Sequence, residues 1–183
     1  MVAEALREHL ERWWGPTQEC VWESGPMRQQ RPEFRVLRAE ARDDGLWLHA
    51  SAGASAERQV QGTGHELFVV ARAAEPELIE LVTVAAHYAL FGEHDVHEGH
   101  TLNIGRPWLP GSQCDHLYLS APYLRPPAFR VLAHPLGSAH LLWAVPITAA
   151  ENAWRHEHGA EAFEQLMEDR TLDPYDVSRA SLV

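Results

Sequence analysis

One segment of the sequence, residues 76–92, repeats its apolar residues at the spacing of a helix, whereas the runs on both sides of it have the character of strands. Pro76 suits a first helical turn, the acids Glu77 and Glu80 complement the positive end of a helix, and Gly92 fits its end. Both sides of the helix carry apolar residues, so we expect little of it to contact water. The segment therefore predicts a central core helix.

Short β-like runs separated by turn-forming residues precede and follow this helix. They lie at 20–24, 34–41, 45–51, 65–72, 100–104, 116–122, 129–135 and 138–147. The part at 141–145, Leu-Leu-Trp-Ala-Val, is apolar at every position, which is typical of an inner strand. Residues 43–45, Asp-Asp-Gly, predict a hairpin turn, and the small and polar residues 53–64 predict a flexible loop.

Helices are also indicated at the two ends of the chain. Residues 1–16 contain a short N-terminal helix that Gly15 and Pro16 end. Thr148 and Glu151 have the spacing of a capping box, and the helix that they open is interrupted at Gly159. We therefore predict one compact α+β domain over residues 1–183. Its sheet is mostly antiparallel or mixed, and three or four helices pack against it.

The charge of the chain restricts its partners. There are 26 acids and 15 bases, the bases are all Arg, and the formal net charge is −11. Such a chain repels nucleic acid and membrane surfaces and attracts basic proteins. We therefore expect a protein partner, and neither nucleic acid nor a membrane. The alternative is that the charge only keeps the protein soluble.

The sequence also indicates a compartment. It has no apolar run long enough to span a membrane, and residues 1–4 lack the basic start and apolar stretch of a signal peptide. We therefore expect a cytoplasmic protein. In that compartment Cys20 and Cys114 stay reduced.

The stretch His-Asp-Val-His-Glu-Gly-His at 94–100 raises the possibility of a metal centre. Zinc sites often present histidines four residues apart on a helix, but His94, His97 and His100 follow the expected helix end. In a strand, positions three apart point to opposite sides. The spacing therefore favours a connector. A metal-dependent hydrolase that uses these three histidines remains the alternative.

Other catalytic signatures are absent from the sequence. The His-Glu-Leu at 65–67 does not extend to the zinc-protease motif, because position 69 is Val. There is no phosphate-binding glycine loop and no nucleophile elbow. Cys114 and His116 are close in sequence, but a nucleophile and its base usually meet through the fold. We therefore predict a protein that is not an enzyme and that binds no metal or other cofactor.

Four stretches together resemble the suppressor of fused family. They are HELFVVA (65–71), EGHTLNIG (98–105), LLWAVPITAAENAWRHEHGAEAFEQLMED (141–169) and DPYDVSRASLV (173–183). The most diagnostic part is Pro-Ile-Thr-x-x-Glu at 146–151, followed by a helix, Gly159 and an Asp-rich end with Arg179. The resemblance covers roughly residues 20–183. It implies a compact α+β domain that binds another protein and catalyses nothing, and it makes Gly99-His100 a strand-opening turn.

The resemblance also implies a function. Animal members hold a transcription-factor peptide as an added strand between two domains, and this chain is long enough for the first of those domains. Bacterial members look like immunity proteins that neutralise toxins, often nucleases. Since nuclease toxins tend to be basic, the acidic charge fits that role. We expect an immunity-type protein that binds a basic toxin domain, and a stand-alone regulatory or scaffold domain is the alternative.

Two kinds of residue are candidates for binding the partner. Trp108 and Tyr123 lie in Pro-rich loops, and interfaces favour such aromatic anchors within charged rims. The second kind is an acidic C-terminal group, namely Glu161, Glu164, Glu168, Asp169, Asp173 and Asp176. The alternatives are that the aromatic rings pack onto their own domain and that the acids form a solvated helix face and tail.

Overall fold

The computed structural model of the chain describes residues 2–56, 63–92, 96–135 and 137–183. Its helices are α1 (Val2–Trp13), α2 (Pro26–Gln30), α3 (Pro76–Phe91), α4 (Ala149–His158) and α5 (Ala160–Asp169). Its strands are β1 (Thr17–Cys20), β2 (Arg35–Glu40), β3 (Trp47–Ala52), β4 (Thr63–Ala71), β5 (Thr101–Asn103), β6 (Cys114–Ser120), β7 (Val131–His134) and β8 (Gly137–Thr148). None of these helices has the length and apolarity needed to cross a lipid bilayer.

The strands form one sheet of eight in the order β1-β2-β3-β4-β8-β6-β5, and β7 also pairs with β8. β8 pairs in parallel with β4, whereas the other pairs are antiparallel. β6 and β7 pair with β8 on the side opposite β4, because Trp143 is the register partner of both Phe68 and Ser120, and Ala139 is the partner of both Gly64 and Leu132. β8 is therefore an inner strand, which confirms the prediction from its apolar run.

Helices cover both faces of this sheet. On the first face, α1, α5 and the C-terminal segment pack on a core that includes Phe68, Trp143 and Phe163. On the second face, α2 and α3 pack on a core that includes Leu67 and Leu142. Successive residues of a strand point to opposite sides, so β8 contributes to both cores and needs apolar residues throughout.

The mixed, mostly antiparallel sheet confirms the predicted α+β class and the single domain. There are five α-helices rather than three or four in the described residues, because α2 was not predicted and Gly159 separates α4 from α5. Gly159 has φ 91°, in the left-handed region that glycine adopts most readily. One continuous helix therefore does not pass through this position.

Two predicted elements differ from the structure. The strand expected at 20–24 lies earlier, at Thr17–Cys20, because Gly25 and Pro26 begin α2 directly afterwards. The expectation that little of α3 contacts water is wrong along one stripe. Val84, Tyr88 and Phe91 are 45%, 46% and 44% exposed. The second-face core contacts the other sides of α3 and leaves this stripe uncovered.

The expected loop at 53–64 is ordered at both ends, and residues 57–62 lie outside the described residues. Ala54–Ala56 form a 3-10 turn, and β4 begins at Thr63. The carboxylate of Glu66, which is fully buried, accepts hydrogen bonds from Ser51 Oγ (2.5 Å), Ser55 Oγ (2.7 Å) and the amides of residues 53–55. Burial raises the pKa of Glu66 in spite of these donors. The carboxylate thus fixes residues 53–55 against the sheet.

The predicted capping box is confirmed at the start of α4. Glu151 accepts from the Thr148 amide at 2.8 Å, and the Thr148 hydroxyl accepts from the Glu151 amide at 3.2 Å. The buried Glu151 carboxylate also accepts from Arg179 Nη1 (2.6 Å), from Arg179 Nη2 (2.9 Å) and from the Leu182 amide (2.9 Å). The two most diagnostic motifs, at 146–151 and in the C-terminal segment, are therefore joined by a buried ion pair.

Candidate protein-binding surface

Two large apolar side chains stand out from the loop that follows β6. Tyr123 is 52% exposed and Leu124 is 50% exposed. The loop reads Pro-Tyr-Leu-Arg-Pro-Pro from residue 122, and the Arg125 amide donates to the Pro122 carbonyl at 3.0 Å. Proline fixes the backbone torsion φ, so the loop is stiffened at both ends. The fold therefore holds two apolar side chains in water on a backbone that loses little freedom when a partner binds.

Aromatic rings lie directly beneath this loop. The ring centroids of Tyr123 and Trp143 are 5.3 Å apart, and those of Trp143 and Tyr175 are 5.7 Å apart and stacked. Burial raises the pKa of Tyr123 to about 12 and also raises the pKa of Tyr175, so both phenols are neutral near pH 7. The indole N–H of Trp143 is buried and has no hydrogen-bond partner among the described residues. Tyr123 thus rests on an ordered aromatic support from β8 and the C-terminal segment.

Arg125 joins this support to the start of the chain. Its guanidinium carbon lies 3.8 Å from the centroid of the Trp14 ring, which is a cation–π contact. Its Nη2 atom lies 3.7 Å from a carboxylate oxygen of Asp44, in the hairpin turn between β2 and β3. We call the group of Asp44, Tyr123, Leu124, Arg125 and Tyr175 the Tyr123 surface. It combines three separate parts of the chain on the first face of the sheet.

Two of the predicted acids border the Tyr123 surface. Glu164 accepts a hydrogen bond from the Tyr118 hydroxyl at 2.7 Å, and its charge contributes to the raised pKa of Tyr123. Asp173 pairs with Arg72 at 2.5 Å and accepts from the Tyr175 amide at 2.9 Å. The structure therefore brings Glu164 and Asp173 together with Tyr123, as neighbours of one surface.

The other predicted acids are distributed around this region. On α5 the buried positions are Phe163 and Met167, so the acidic stripe of α5 (Glu161, Glu164 and Glu168) faces water. Asp169 is also exposed and accepts from the Gln165 amide group at 2.9 Å. Asp176 accepts from the backbone and hydroxyl of Ser178, and these hydrogen bonds lower its pKa. Asp176 thus orders the tail locally.

The interpretation of Trp108 as a contact residue is wrong in this structure. Its side chain is fully buried in the second-face core, and its indole N–H donates to the His116 carbonyl at 3.0 Å. Its backbone amide donates to the Cys114 carbonyl at 2.9 Å. The ring has its full complement of contacts inside its own domain, so it offers no surface to a partner.

The histidine row does not converge on a centre within the described residues. His94 lies outside them. The rings of His97 and His100 have centroids 3.5 Å apart, and the Nδ1 atom of His97 is 2.8 Å from the Glu98 carbonyl oxygen. Two imidazoles that share one zinc have centroids roughly 5 Å apart, given Zn–N bonds of about 2.0–2.1 Å. These rings pack against each other instead, and in the part of the chain that the structure describes no three His, Cys, Asp or Glu residues are placed to hold a metal.

The segment that carries these histidines is anchored as a connector. Gly99 has φ 85°, and its amide donates to the Leu119 carbonyl at 2.7 Å. Arg155 donates to the Gly99 carbonyl, and Arg130 pairs with Glu98. Cation and carbonyl contacts thus hold residues 98–100 against β6 and α4. This placement agrees with the strand-opening turn that the resemblance implied.

Sequence reasoning missed part of the Tyr123 surface. Leu124 and Arg125 are adjacent to Tyr123, and the prolines around them were a usable signal. Trp14 lies more than a hundred residues before Tyr123 in the sequence, and Tyr175 lies behind Tyr123 only in the folded chain. No local pattern therefore pointed to either residue. Only the packing of three chain segments on one face brings these residues together.

Comparisons with known proteins agree on one family. The sequence model described as Suppressor of fused protein (SUFU) matches residues 30–180. The fold is similar to that of a SUFU homologue from Neisseria gonorrhoeae FA 1090, with a TM-score of 0.84, 25% identity, and coverage of 100% of this chain and 97% of that one. No curated protein matches the chain.

Two more distant solved structures share the fold. One is the Sufu–Fu complex, with a TM-score of 0.71, 11% identity, and coverage of 99% of this chain and 92% of that one. The other is Drosophila Suppressor of Fused, with a TM-score of 0.63, 12% identity, and coverage of 99% of this chain but 51% of that one. At these identities the likeness concerns the fold alone.

Proposed function

The chain belongs to the suppressor of fused family, and from this premise we propose that it is a non-catalytic protein-binding domain whose partner docks on the Tyr123 surface. One observation carries the proposal, namely the half-exposed pair Tyr123 and Leu124 held on a stiff loop above ordered aromatic rings. Tyr, Trp and Arg are the residues that most often dominate binding energy at protein interfaces. The Tyr123 surface contains the first and last of these, Tyr123 half exposed and Arg125 partly covered by Trp14 and Asp44.

The composition of the Tyr123 surface supports tight binding from a small area. Its aromatic support is packed before a partner arrives, so little side-chain entropy is lost on binding. Arg125 is already fixed by Trp14 and Asp44, and its planar group is presented in one orientation.

The partner that we propose is a basic toxin domain, which the protein neutralises by binding in the cytoplasm. The support is electrostatic. The chain has a formal net charge of −11, and the acidic stripe of α5 lies beside the Tyr123 surface. Such a field steers a basic protein towards this face and speeds association. A regulatory or scaffold domain would use the same face, but its partner need not be basic.

The experiment purifies the products of the genes that neighbour this one, selects any that is basic, and measures its binding to the purified chain by calorimetry. We expect Tyr123→Ala to weaken binding by at least tenfold, because the ring is the exposed anchor of the surface. Val131→Ala is the matched control, since Val131 is similarly exposed at 44% but lies on β7. No binding by the wild type would exclude the toxin partner, whereas equal binding by both variants would exclude this surface.

A further inference from the structure

The stripe of α3 that contacts water forms a second apolar surface, on the face of the sheet opposite the Tyr123 surface. Val84, Tyr88 and Phe91 occupy positions i, i+4 and i+7 of the helix, so they align as one ridge. Each is close to half exposed. Single apolar side chains on a surface are ordinary, but three aligned on one helix are typical of a helix face that packs against something. We call these three residues the α3 ridge.

A groove of about 390 Å³ runs beside the α3 ridge. Its walls come from the segment before α2 and from α3, and they include Trp22, Met27, Val84 and His87. The His87 ring contacts the Phe91 ring, with centroids 4.9 Å apart, and its Nε2 atom lies 3.1 Å from Gln30 Oε1. The ridge and the groove therefore adjoin and share Val84. A surface that has a ridge beside a groove has the two parts that a self-complementary contact needs.

Two acids near the α3 ridge are neutralised by arginines among the described residues. Glu80 pairs with Arg106 at 2.6 Å, and Glu23 pairs with Arg28 at 3.0 Å. Two copies of a chain with net charge −11 repel each other, so they associate most readily where the nearby acids are already paired with arginines. The acidic stripe of α5, on the other face, would bring like charges together. Among the described surfaces that expose aligned apolar side chains, the α3 ridge is the one that suits a second copy.

We propose that two copies of this chain associate through the α3 ridge and its groove, around a two-fold axis near Tyr88. The α3 helices then run antiparallel, and each ridge enters the groove of the other copy, as an isologous interface requires. Glu77 lies eleven residues before Tyr88, so the two Glu77 side chains are roughly 33 Å apart along the helix axes. This separation exceeds the screening length of about 8 Å at physiological ionic strength, so the two carboxylates do not oppose pairing.

The size of the surface sets the strength of this association. Half-exposed Tyr88 and Phe91 each contribute roughly 100 Å² of ring surface, from a full burial of about 150–250 Å². A standard interface buries about 800 Å² on each partner. The α3 ridge is therefore the centre of a small interface, and we expect a dimer that dissociates in the micromolar range. The Tyr123 surface stays accessible on both copies, because it lies on the opposite face.

Sedimentation velocity over protein concentrations from about 1 to 200 µM tests the proposal. We expect the wild type to shift from monomer to dimer, and Tyr88→Arg and Phe91→Arg to stay monomeric throughout. Val131→Arg is the matched control, because it adds the same charge at an equally exposed site on β7 and should dimerise like the wild type. Circular dichroism verifies that each variant is folded. If one of the two variants does not fold, the other still tests the proposal.

Two results would overturn the proposal. A wild type that is monomeric at every concentration excludes the dimer, and a dimer that persists in folded Tyr88→Arg and Phe91→Arg excludes this face. Tyr123→Arg should dimerise normally and yet lose partner binding. The dimer and the proposed function can therefore fail independently of each other.

Discussion

The Tyr123 surface and the α3 ridge expose similar fractions of large apolar side chains on opposite faces of one sheet, but their surroundings differ. The Tyr123 surface is built from a Pro-stiffened loop, a hairpin and the C-terminal segment. The acids of α5 at its edge form no ion pair with the described arginines. The α3 ridge lies on one regular helix, and two acids near it, Glu80 and Glu23, are paired with arginines. Exposed apolar area alone therefore does not identify a partner, and the charge around each surface is the reason why we propose a basic protein for one and a second copy for the other.

The two surfaces also differ in what lies beneath them, because the C-terminal segment under the Tyr123 surface depends on a buried ion pair. Breaking that pair should give the largest change in stability that we predict. Tyr175 lies on the C-terminal segment, which the buried pair of Glu151 and Arg179 holds in place. Arg179→Ala leaves the Glu151 carboxylate buried without its cation. We expect the free energy of unfolding to fall by about 3–5 kcal/mol, as measured by urea denaturation. Partner binding should weaken in the same variant, because Tyr123 loses part of its support.

Arg72→Ala is the matched control for this prediction. It removes the cation that pairs with Asp173 in the same segment, but Arg72 is 64% exposed, so the loss should stay below about 1 kcal/mol. Equal losses in the two variants would mean that the buried pair does not hold the segment. The α3 ridge depends on neither residue, so dimerisation of folded Arg179→Ala should match that of the wild type.

The core beneath the α3 ridge contains a buried histidine, His49, whose protonation should make stability depend on pH. His49 on β3 alternates with Leu48 and Ala50 of the first-face core, so its side chain lies on the second-face side. It is fully buried, and neither ring nitrogen has a hydrogen-bond partner among the described residues. Burial, together with the charge of Arg38, lowers the pKa of His49 from 6.5 to about 4. The folded protein therefore holds this imidazole neutral when the unfolded chain already binds a proton.

The stability lost to His49 follows from that difference. As the pH falls through 6.5 the unfolded chain takes up the proton first, so stability decreases between pH 6.5 and pH 4 and levels off below pH 4. The expected loss is about 3 kcal/mol at pH 4. Glu66 acts in the opposite sense, because a raised folded pKa favours the folded state as the pH falls. The His49 contribution is therefore the difference between the wild type and His49→Leu, measured by denaturation at several pH values.

A pH profile of His49→Leu that is parallel to the wild type would contradict this assignment. The expected result is a flatter profile for the variant, since Leu carries no proton. Leu also fills a site where no donor or acceptor faces the ring nitrogens, so the variant should fold at pH 7.

The sequence predicted the fold well and the surfaces unevenly, for physical reasons. The sequence predicted the inner strand at 141–145 and the capping box at Thr148 and Glu151, because burial and helix capping leave local patterns. Tyr123 was chosen as a candidate because an aromatic residue between prolines is less constrained to the core, and the structure leaves it half exposed. Trp108, in an equally Pro-rich loop, is buried, and no local pattern separates the two cases. The difference depends on which face of the sheet each loop crosses, which is a tertiary property.

The α3 ridge was missed for a related reason. Its helix is apolar on most sides, so periodicity indicated that little of it contacts water, and an exposed stripe of Val84, Tyr88 and Phe91 looks the same in sequence as a buried one. Only the placement of α2 and of the sheet decides which stripe is covered. Surfaces of this kind are therefore found from the structure, whereas the elements that carry them are found from the sequence.

The salt concentration should have the smallest effect of these tests, but it distinguishes the two surfaces most directly. Raising it should weaken partner association and strengthen the dimer. Binding of a basic partner near the acidic stripe of α5 relies on attraction, so raising the salt concentration should slow association, by roughly tenfold between low and high salt. The dimer forms between two chains of net charge −11, so screening should strengthen it. Surface plasmon resonance measures the first response and sedimentation the second.

A triple variant with Glu161, Glu164 and Glu168 changed to Gln should reduce the salt dependence of partner association and leave a salt-strengthened dimer. If both interactions weaken with salt, the α3 ridge is not a contact between like-charged copies. If neither responds, the charge of the chain guides no association, and the contrast between the two faces reduces to shape.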